Sequence, residues 1–385
     1  MQNQALDREF WSRRDVLQAG ACGACALGLV GLLGAPRDAR AQFAQPGLIK
    51  ARRSPWFTAL DAGQIRCELC PRHCQLAPGR RGSCRVRENR GGHGYTLVYG
   101  NPALLQLDPV ERKPFFHVLP GARALSVSTA GCNMACKFCE VWDMAQAAPE
   151  DVYAYDVPPE AVVAQAQNAR ARAISYAFGE PVIFYEYMTA IAALAREAGL
   201  LNLMHTGGAI AREPLAALCE QLDAANVDLK GFDPVFYRDV CGGELAPVLA
   251  TLKQLKAAGV HLEITHLVIP TLNDDLDQFR AMCQWIVDEL GPDVPLHLAR
   301  FYPLYQLANL PPTPVRTLDR ARAAAREEGL RYVYIARVTG HEGENTFCPQ
   351  CGETVIQRLG FVVEEIRLKD GRCARCGTPT PGRWG

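Results

Sequence analysis

Apolar residues along this chain fall into two alternating rhythms. Short runs rich in aliphatic and β-branched residues, at Ala124 to Ser128, Ala173 to Phe178, Leu201 to His205, Asn226 to Leu229, Leu262 to Ile269, Pro295 to Arg300 and Tyr332 to Val338, read as strands. Between them lie segments with apolar residues at helical spacing. Ile183, Tyr187, Ala190, Ile191 and Leu194 form one such stripe, and Pro181 suits the first turn of its helix. Alternating strands and helices imply a parallel sheet with right-handed crossovers, and about seven units of this kind predict an α/β barrel, closed or incompletely closed. In such barrels the chemistry collects on the loops that follow the strands. No repeat beyond this alternation is visible.

The loop after the first of these strands reads Ser128-Thr-Ala-Gly-Cys132-Asn-Met-Ala-Cys136-Lys-Phe138-Cys139, with a helix-compatible pattern after it. Thiolates are the soft ligands that iron-sulfur clusters take, and a four-iron cluster normally takes four. Three on one tight loop leave one iron without a protein ligand, a place for a substrate to bind; the plainer alternative is a structural zinc knuckle. Polar residues recur at the next strand ends: Phe178-Gly179-Glu180-Pro181, then His205-Thr206-Gly207-Gly208, then Asp228-Leu229-Lys230. Singly, these read as helix caps or surface charges; together, at strand ends, they read as a site.

The spacing Cys132-x3-Cys136-x2-Cys139, with Phe138 before the last cysteine, resembles the signature of the radical S-adenosylmethionine (SAM) superfamily. Within that superfamily the chain is similar to the glycyl-radical activating enzymes, such as the pyruvate formate-lyase activating enzyme. Further stretches sharpen the likeness: Cys67-Glu-Leu-Cys70-Pro-Arg-His-Cys74, Asp108-Pro-Val-Glu111-Arg-Lys113-Pro-Phe-Phe-His117-Val-Leu-Pro-Gly121, Pro270-Thr-Leu-Asn273-Asp274 and Glu344-Asn-Thr-Phe-Cys348-Pro-Gln-Cys351-Gly. From about Arg66 to the C-terminus the chain resembles the AmmeMemoRadiSam system radical SAM enzyme family. The resemblance implies a partial (β/α) TIM-type barrel of the radical SAM class and a 4Fe-4S cluster on Cys132, Cys136 and Cys139. It also implies a SAM site with Glu180 on the amino group, between Gly179 and Pro181, Phe138 near the adenine, and Thr206, Asp228 and Lys230 at the methionine end. The implied reaction is reductive cleavage of SAM to methionine and a 5'-deoxyadenosyl radical that abstracts hydrogen from an unspecified protein or small-molecule substrate, with a low-potential electron donor as partner. Two departures stand out. The family usually has glycine where Phe178 stands, and Gln-Asn where Glu140-Val141 follows the third cluster cysteine. Two further readings remain open, an exported iron-sulfur electron-transfer protein without SAM turnover and an assembly or binding module. Arg337-Val-Thr-Gly340-His is faintly similar to the glycine loop of glycyl-radical enzymes, but nothing else in a chain of 385 residues resembles them.

Two cysteine sets flank the predicted barrel. Downstream, Cys348-x2-Cys351 and Cys373-x2-Cys376 have zinc-ribbon spacing, with a strand-like run from Phe361 to Leu368 between the pairs. A structural zinc contributes about 10 to 16 kcal/mol of apparent folding free energy, enough to order a tail of roughly forty residues that could hardly bury a core by itself. Upstream, Cys67-x2-Cys70-x3-Cys74-x9-Cys84 suits zinc, a second iron-sulfur cluster or another structural role. The expected organisation is an export signal over 1–41, a Cys-rich N-terminal cap over 42–100, the barrel over 101–338 and a zinc-ribbon-like appendage over 339–385. Of 16 cysteines, Cys22 and Cys25 lie in the first segment and Cys219, Cys241 and Cys283 are left over. Packed thiols are the expectation for these three, with Cys241, ahead of Gly242-Gly243, the one candidate for a catalytic group.

Charge changes little in this picture. The chain carries 41 basic and 41 acidic residues and is 49% hydrophobic, an ordinary globular composition without the electrostatic footprint of a nucleic-acid binder. Arg80-Arg81 and the run Arg85 to Arg90 are expected to solvate the upstream cysteines. The N-terminus is more informative. Ser12-Arg13-Arg14 leads into a Gly- and Ala-rich apolar run to Gly34, then Ala39-Arg40-Ala41, which reads as a twin-arginine export signal cleaved before Gln42. A periplasmic or otherwise extracytoplasmic protein follows, meeting the membrane only through that signal; the alternatives are an uncleaved membrane anchor or a cytoplasmic protein.

Overall fold

The structure, a computed structural model, describes residues 44–384. The segment read as an export signal, with Cys22 and Cys25, lies outside the described residues.

One eight-stranded sheet organises the chain. Its strands are β1 (Leu104–Pro109), β2 (Arg123–Ser128), β3 (Ala173–Tyr176), β4 (Leu201–Thr206), β5 (Ala224–Asp228), β6 (His261–Val268), β7 (Leu296–Arg300) and β8 (Val333–Ala336), lying side by side in that order. From β2 to β8 all pairings are parallel; β1 runs antiparallel to β2. With β1 and β8 as its two edges the sheet is an open barrel. The parallel strands are buried almost residue for residue, as strands covered on both faces must be, which is why they read as continuous apolar runs. Crossovers carry α1 (Pro159–Asn168), α2 (Tyr185–Glu197), α3 (Arg212–Cys219), α4 (Leu245–Ala257), α5 (Leu276–Leu290) and α6 (Val315–Glu327).

Four sequence expectations about the barrel are corrected. β1 escaped the strand pattern because it is a half-buried edge, closed by Pro109, which lacks a donor. The run to Phe178 stops at Tyr176, since Phe178 takes φ 73° in the left-handed region. After the cysteine triad only Trp142–Ala145 is helical, and the crossover helix waits until Pro159. The stripe beginning at Ile183 is a 3-10 turn, Pro181–Phe184, followed by α2, with Glu180 capping the turn through the Val182 amide at 3.1 Å.

The segment after β1 plugs the lumen from the N-terminal side of the strands. Asn226 donates to the Pro114 carbonyl at 2.8 Å, and the Phe116 and His117 amides donate to Glu263 at 3.0 and 2.9 Å. Burial opposes the charge of Glu263, but His261 and His297 outweigh it and hold its carboxyl well below the usual range. The C-terminal tail docks on this plug. Its strands are Thr346–Phe347, Thr354–Leu359 and Val362–Ile366 in one sheet and Leu368–Lys369 and Arg372–Cys373 in another, so the expected strand Phe361 to Leu368 breaks at Arg367. Arg358, from the tail, is buried and donates to the Phe116 carbonyl at 2.7 Å and to Thr346 at 2.9 Å. Before the barrel, two small antiparallel sheets pair Phe57–Ala59, Ile65–Cys67 and Gln75–Leu76, and Arg52–Arg53, His93–Thr96 and Arg87–Arg90. Arg87 corrects the expectation of a solvated arginine run: it is 2% exposed and forms a two-pronged pair with Glu186 of α2, both bonds 2.9 Å. Among the described residues no helix is long and apolar enough to cross a membrane.

Candidate active site

The loops after β2, β3, β4 and β5 converge on a cavity of about 350 Å³ lined by Cys132, Cys136, Phe138 and Cys139, by Gly179 and Glu180, by His205 and Gly207, and by Lys230. A larger hollow of about 520 Å³, lined by Leu119, Arg172, Asp370 and Trp384, lies away from these strand ends and gathers no comparable set of groups.

Backbone contacts set the triad loop. The Ala135 and Lys137 amides donate to the carbonyls of Cys241 and Val240, each at 2.9 Å, so the loop is stitched to the turn Tyr237–Cys241. Gly131 takes φ 95°, and a Cβ there would sit 2.6 Å from the Cys84 carbonyl oxygen, so no other residue lets the two loops touch this closely. Burial pushes the Cys132 thiol far up and Cys139 to about 11. Cys136 runs the other way. Its hydrogen bond with Cys241, helped by the Lys230 charge, lowers it against burial, whereas burial raises Cys241. Three sulfurs facing a cavity that also holds a lysine, Cys136 buried and Cys132 and Cys139 half-buried, fit the thiolate donor set of a four-iron cluster with one open corner. Cys241, the catalytic candidate, is itself fully buried, does not line the cavity and behaves as a packed thiol.

Glu180 is the hub of the opposite wall. It is 5% exposed and accepts from the Val182 amide (3.1 Å), the Thr206 hydroxyl (2.6 Å) and the Gly207 amide (2.9 Å). Burial raises its pKa, while Thr206, the two amides and Lys230 pull it down. A carboxylate has about four acceptor sites, so one remains for a bound ammonium. Two glycines make the room. A Cβ on Gly179 would meet Ser128 Oγ at 2.5 Å, and one on Gly207 would crowd Glu180 Oε2 and Met134 Sδ at 3.3 Å. Thr206, Pro181 and Asp228 stand one layer back: Thr206 on Glu180, Pro181 buried in the capped turn, and Asp228 between His205 Nε2 and Lys230 Nζ, both at 2.8 Å. Burial opposes the Asp228 charge, but Lys230 and His205 hold its carboxyl well below the usual range. Lys230 Nζ also lies 5.7 Å from the Phe138 ring, close enough for a weak cation–π contact.

Three groups at the cavity were in view in the sequence but without the partners that give them a place. Lys113 Nζ sits 3.9 Å from the centre of the Phe178 ring, with Arg112 at 5.7 Å, and both cations bind Asp108, at 2.6 and 3.0 Å. Burial lowers Lys113 to about 8 against the pull of Asp108. Glu140 forms an ion pair with Arg337 from the far edge of the sheet. His205 was in view as a strand-end residue but without the Asp228 bond that gives it a place.

The flanking cysteines behave differently from one another. In the tail, the Cys348 and Cys376 sulfurs are 3.5 Å apart and those of Cys351 and Cys373 are 3.7 Å apart. Zinc–sulfur bonds of about 2.3 Å place tetrahedral ligands about 3.8 Å from one another, so this set fits a single ion. Among the described residues it is the only group of His, Cys, Asp or Glu whose ligand atoms all come within 4.8 Å of one another. Cys67, Cys70, Cys74 and Cys84 instead surround a small buried cavity. Cys219 and Cys283 are partly and fully buried thiols away from both.

The Radical SAM superfamily matches residues 126–285. The chain is 43% identical over 328 residues to an uncharacterised protein of Methanocaldococcus jannaschii, covering 85% of this chain and 98% of that one. It is 25% identical over 177 residues to the pyruvate formate-lyase-activating enzyme of Listeria monocytogenes, 43% of this chain and 70% of that one. A solved radical SAM methyltransferase from Sphaerobacter thermophilus aligns with a TM-score of 0.46 at 15% identity, over 77% of this chain and 81% of the other. With the superfamily pattern spanning the triad and the strand ends that face it, this chain belongs to the radical SAM superfamily.

Proposed function

We propose that this radical SAM enzyme, of the AmmeMemoRadiSam type, generates a substrate radical by hydrogen abstraction inside the strand-end cavity, in the manner of an activating enzyme. The observation that carries the reading is the convergence of Cys132, Cys136 and Cys139 with Glu180 on one cavity. When bound, a 4Fe-4S cluster on the three thiolates and SAM at its open corner supply reductive cleavage to methionine and a 5'-deoxyadenosyl radical. The chain's part is to bind, orient and exclude water. Glu180 offers its remaining acceptor site to the amino group of SAM, Gly179 and Gly207 keep that approach open, and Lys230, braced by Asp228, offers a cation to the carboxylate end. Phe138, Phe178, Val141 and Leu267 give the cavity apolar walls that keep water from a reactive carbon radical. The relatives named as pyruvate formate-lyase-activating enzyme support a protein substrate, and a low-potential one-electron carrier is the required donor. The tail cysteines take one structural zinc, and the twin-arginine segment directs the folded protein out of the cytoplasm.

The test is anaerobic reconstitution of the full chain with iron and sulfide, reduction with dithionite and measurement of 5'-deoxyadenosine. Production that disappears in Cys136→Ala is the expected result. Redox cycling with no 5'-deoxyadenosine would favour an electron-transfer protein instead.

A further inference from the structure

We propose that Cys67, Cys70, Cys74 and Cys84 hold a second four-iron cluster, closed by four thiolates, that passes an electron to the cluster on the Cys132 loop. The site is built from short-range elements. Cys67 ends the strand Ile65–Cys67, Cys70 and Cys74 lie on the turn that leads into Gln75–Leu76, and Cys84 comes two residues before the buried Val86. All four line one buried cavity, together with Gly82, Arg87 and Asn133.

The spread of the sulfurs separates this site from zinc. Around the tail ion site every ligand sulfur comes within 4.8 Å of every other, and among the described residues no three of the upstream cysteines do so. A four-iron cluster interposes irons and sulfides between its ligands, so its thiolates stand farther apart than those around a single ion. The Cys132, Cys136 and Cys139 sulfurs share that wider spread. Gly82 keeps the space open, because a Cβ there would lie 3.6 Å from the Cys74 sulfur and 3.9 Å from the Cys84 sulfur, between the two.

A second observation points independently to an anionic occupant. Arg87 lines the cavity with its side chain buried; Glu186 and Ser54 take its terminal nitrogens, yet its Nε–H has no partner. Sulfides and thiolates of a cluster accept such bonds, and a buried cation offsets part of their charge.

The place of the site gives its role. Asn133 lines this cavity, while its neighbours Cys132 and Met134 line the active cavity. The Cys84 carbonyl meets the chain at Gly131, and Arg72 donates to the Asn133 carbonyl at 2.6 Å. Four thiolates leave no open iron, so one electron enters from a low-potential one-electron carrier protein and one leaves to the neighbouring cluster, with no atom transferred. Cys70 and Cys74 are half-buried and Ser83 is exposed, so the rim is within reach of such a carrier.

Iron, sulfide and zinc counts on the anaerobically reconstituted full chain decide the site, and they do not depend on SAM turnover. A Cys132→Ala, Cys136→Ala, Cys139→Ala protein should keep about four irons and four sulfides per chain, with a reduced-state EPR signal indifferent to SAM. A Cys67→Ser, Cys84→Ser protein should lose that signal and retain the SAM-responsive one. Its remaining cluster should be reduced at least ten-fold more slowly by reduced flavodoxin, though not by dithionite. An iron-free triple variant, a rise to two zincs per chain, or upstream cysteines recovered as disulfides would overturn the cluster. Unchanged flavodoxin kinetics would overturn its role.

Discussion

Glu180→Gln separates what the carboxylate does for the fold from what it does for the ligand. In the structure its two oxygens accept from Val182, Thr206 and Gly207, all in a buried setting. Glutamine keeps one acceptor oxygen. Turned toward the Gly207 amide, its NH2 faces the Val182 N–H and the Thr206 hydroxyl; turned the other way, it faces the Gly207 N–H. The hydroxyl can rotate to accept, but in either pose one backbone donor is left unmatched, at a cost of about 1–3 kcal/mol to stability. For the ligand the loss is the charge-assisted bond to the amino group of SAM, worth about 1.5–3 kcal/mol, or roughly ten-fold to a hundred-fold in affinity. Glu180 supplies no sulfur, so iron content and the cluster spectrum should not change. Calorimetric titration of SAM into anaerobic wild-type and variant proteins measures the affinity, and thermal unfolding measures the stability term. Thr206→Val is the control, since it keeps the carboxylate charge and should weaken SAM binding less than Glu180→Gln. Equal affinities in wild type and Glu180→Gln would remove Glu180 from the ligand site; joint loss of iron and affinity would make it a positioning group for the triad loop.

Cys136→Ala leaves two thiolates for a cluster that needs three from the chain, so the SAM-responsive EPR signal and about four irons should vanish; a retained signal would refute the assignment. Cys351→Ser should release about one zinc per chain with iron unchanged, read by elemental analysis, and should loosen a tail whose own buried core is little more than Val355 and Ile356 beside the cysteines. Stability should also fall in mild acid through His117, which burial lowers to about 3 from an ordinary 6.5. The unfolded chain binds that proton more tightly, so the contribution is full above pH 6.5 and is lost as pH drops toward 3, about 2 kcal/mol of it between pH 7 and pH 5. Urea midpoints at those two pH values should lie closer together in His117→Asn than in the wild type, and parallel shifts would exclude His117.

Local pattern carried the parts of this structure that are local. The seven parallel strands were legible to within a residue or two because strands buried on both faces must be apolar throughout. The candidate metal-ligand cysteines stood out in the sequence because their spacing is short and thiolate chemistry admits few alternatives. What could not be read depends on pairs far apart in the chain. Nothing near Arg87 announces Glu186, which turns an arginine from an apparent solvated run into a buried cation. Nothing near His117 announces the chain of bonds that fixes its tautomer. Arg358 donates to Thr346, Thr346 and Tyr334 share a bond at 2.9 Å, and His117 Nε2 meets the Tyr334 hydroxyl while Nδ1 meets the Pro381 carbonyl, both at 2.6 Å. The Pro381 carbonyl can only accept, so the neutral His117 donates to it through Nδ1 and accepts from Tyr334 at Nε2, and Tyr334 in turn accepts from Thr346, a direction that exists only when plug, barrel and tail are together.

The two departures from the resembled family have the same kind of origin. Phe178 stands where glycine is usual, and the backbone still takes φ 73°, a conformation that costs a side-chain-bearing residue about 1–2 kcal/mol. Its ring lies under Lys113, a cation–π contact of about 0.5–2 kcal/mol, and that lysine is anchored in turn by Asp108. The two ranges overlap, so the loop can keep its shape without glycine while placing an aromatic ring and a buried cation on the cavity wall. Glu140, which takes the place of an amide side chain after Cys139, would repel the thiolates if left alone; Arg337 neutralises it from across the sheet. Each departure is therefore one half of a pair, with its partner on a segment that no local reading could connect. Both pairs, Phe178 with Lys113 and Glu140 with Arg337, line the strand-end cavity that the three cysteines and Glu180 share.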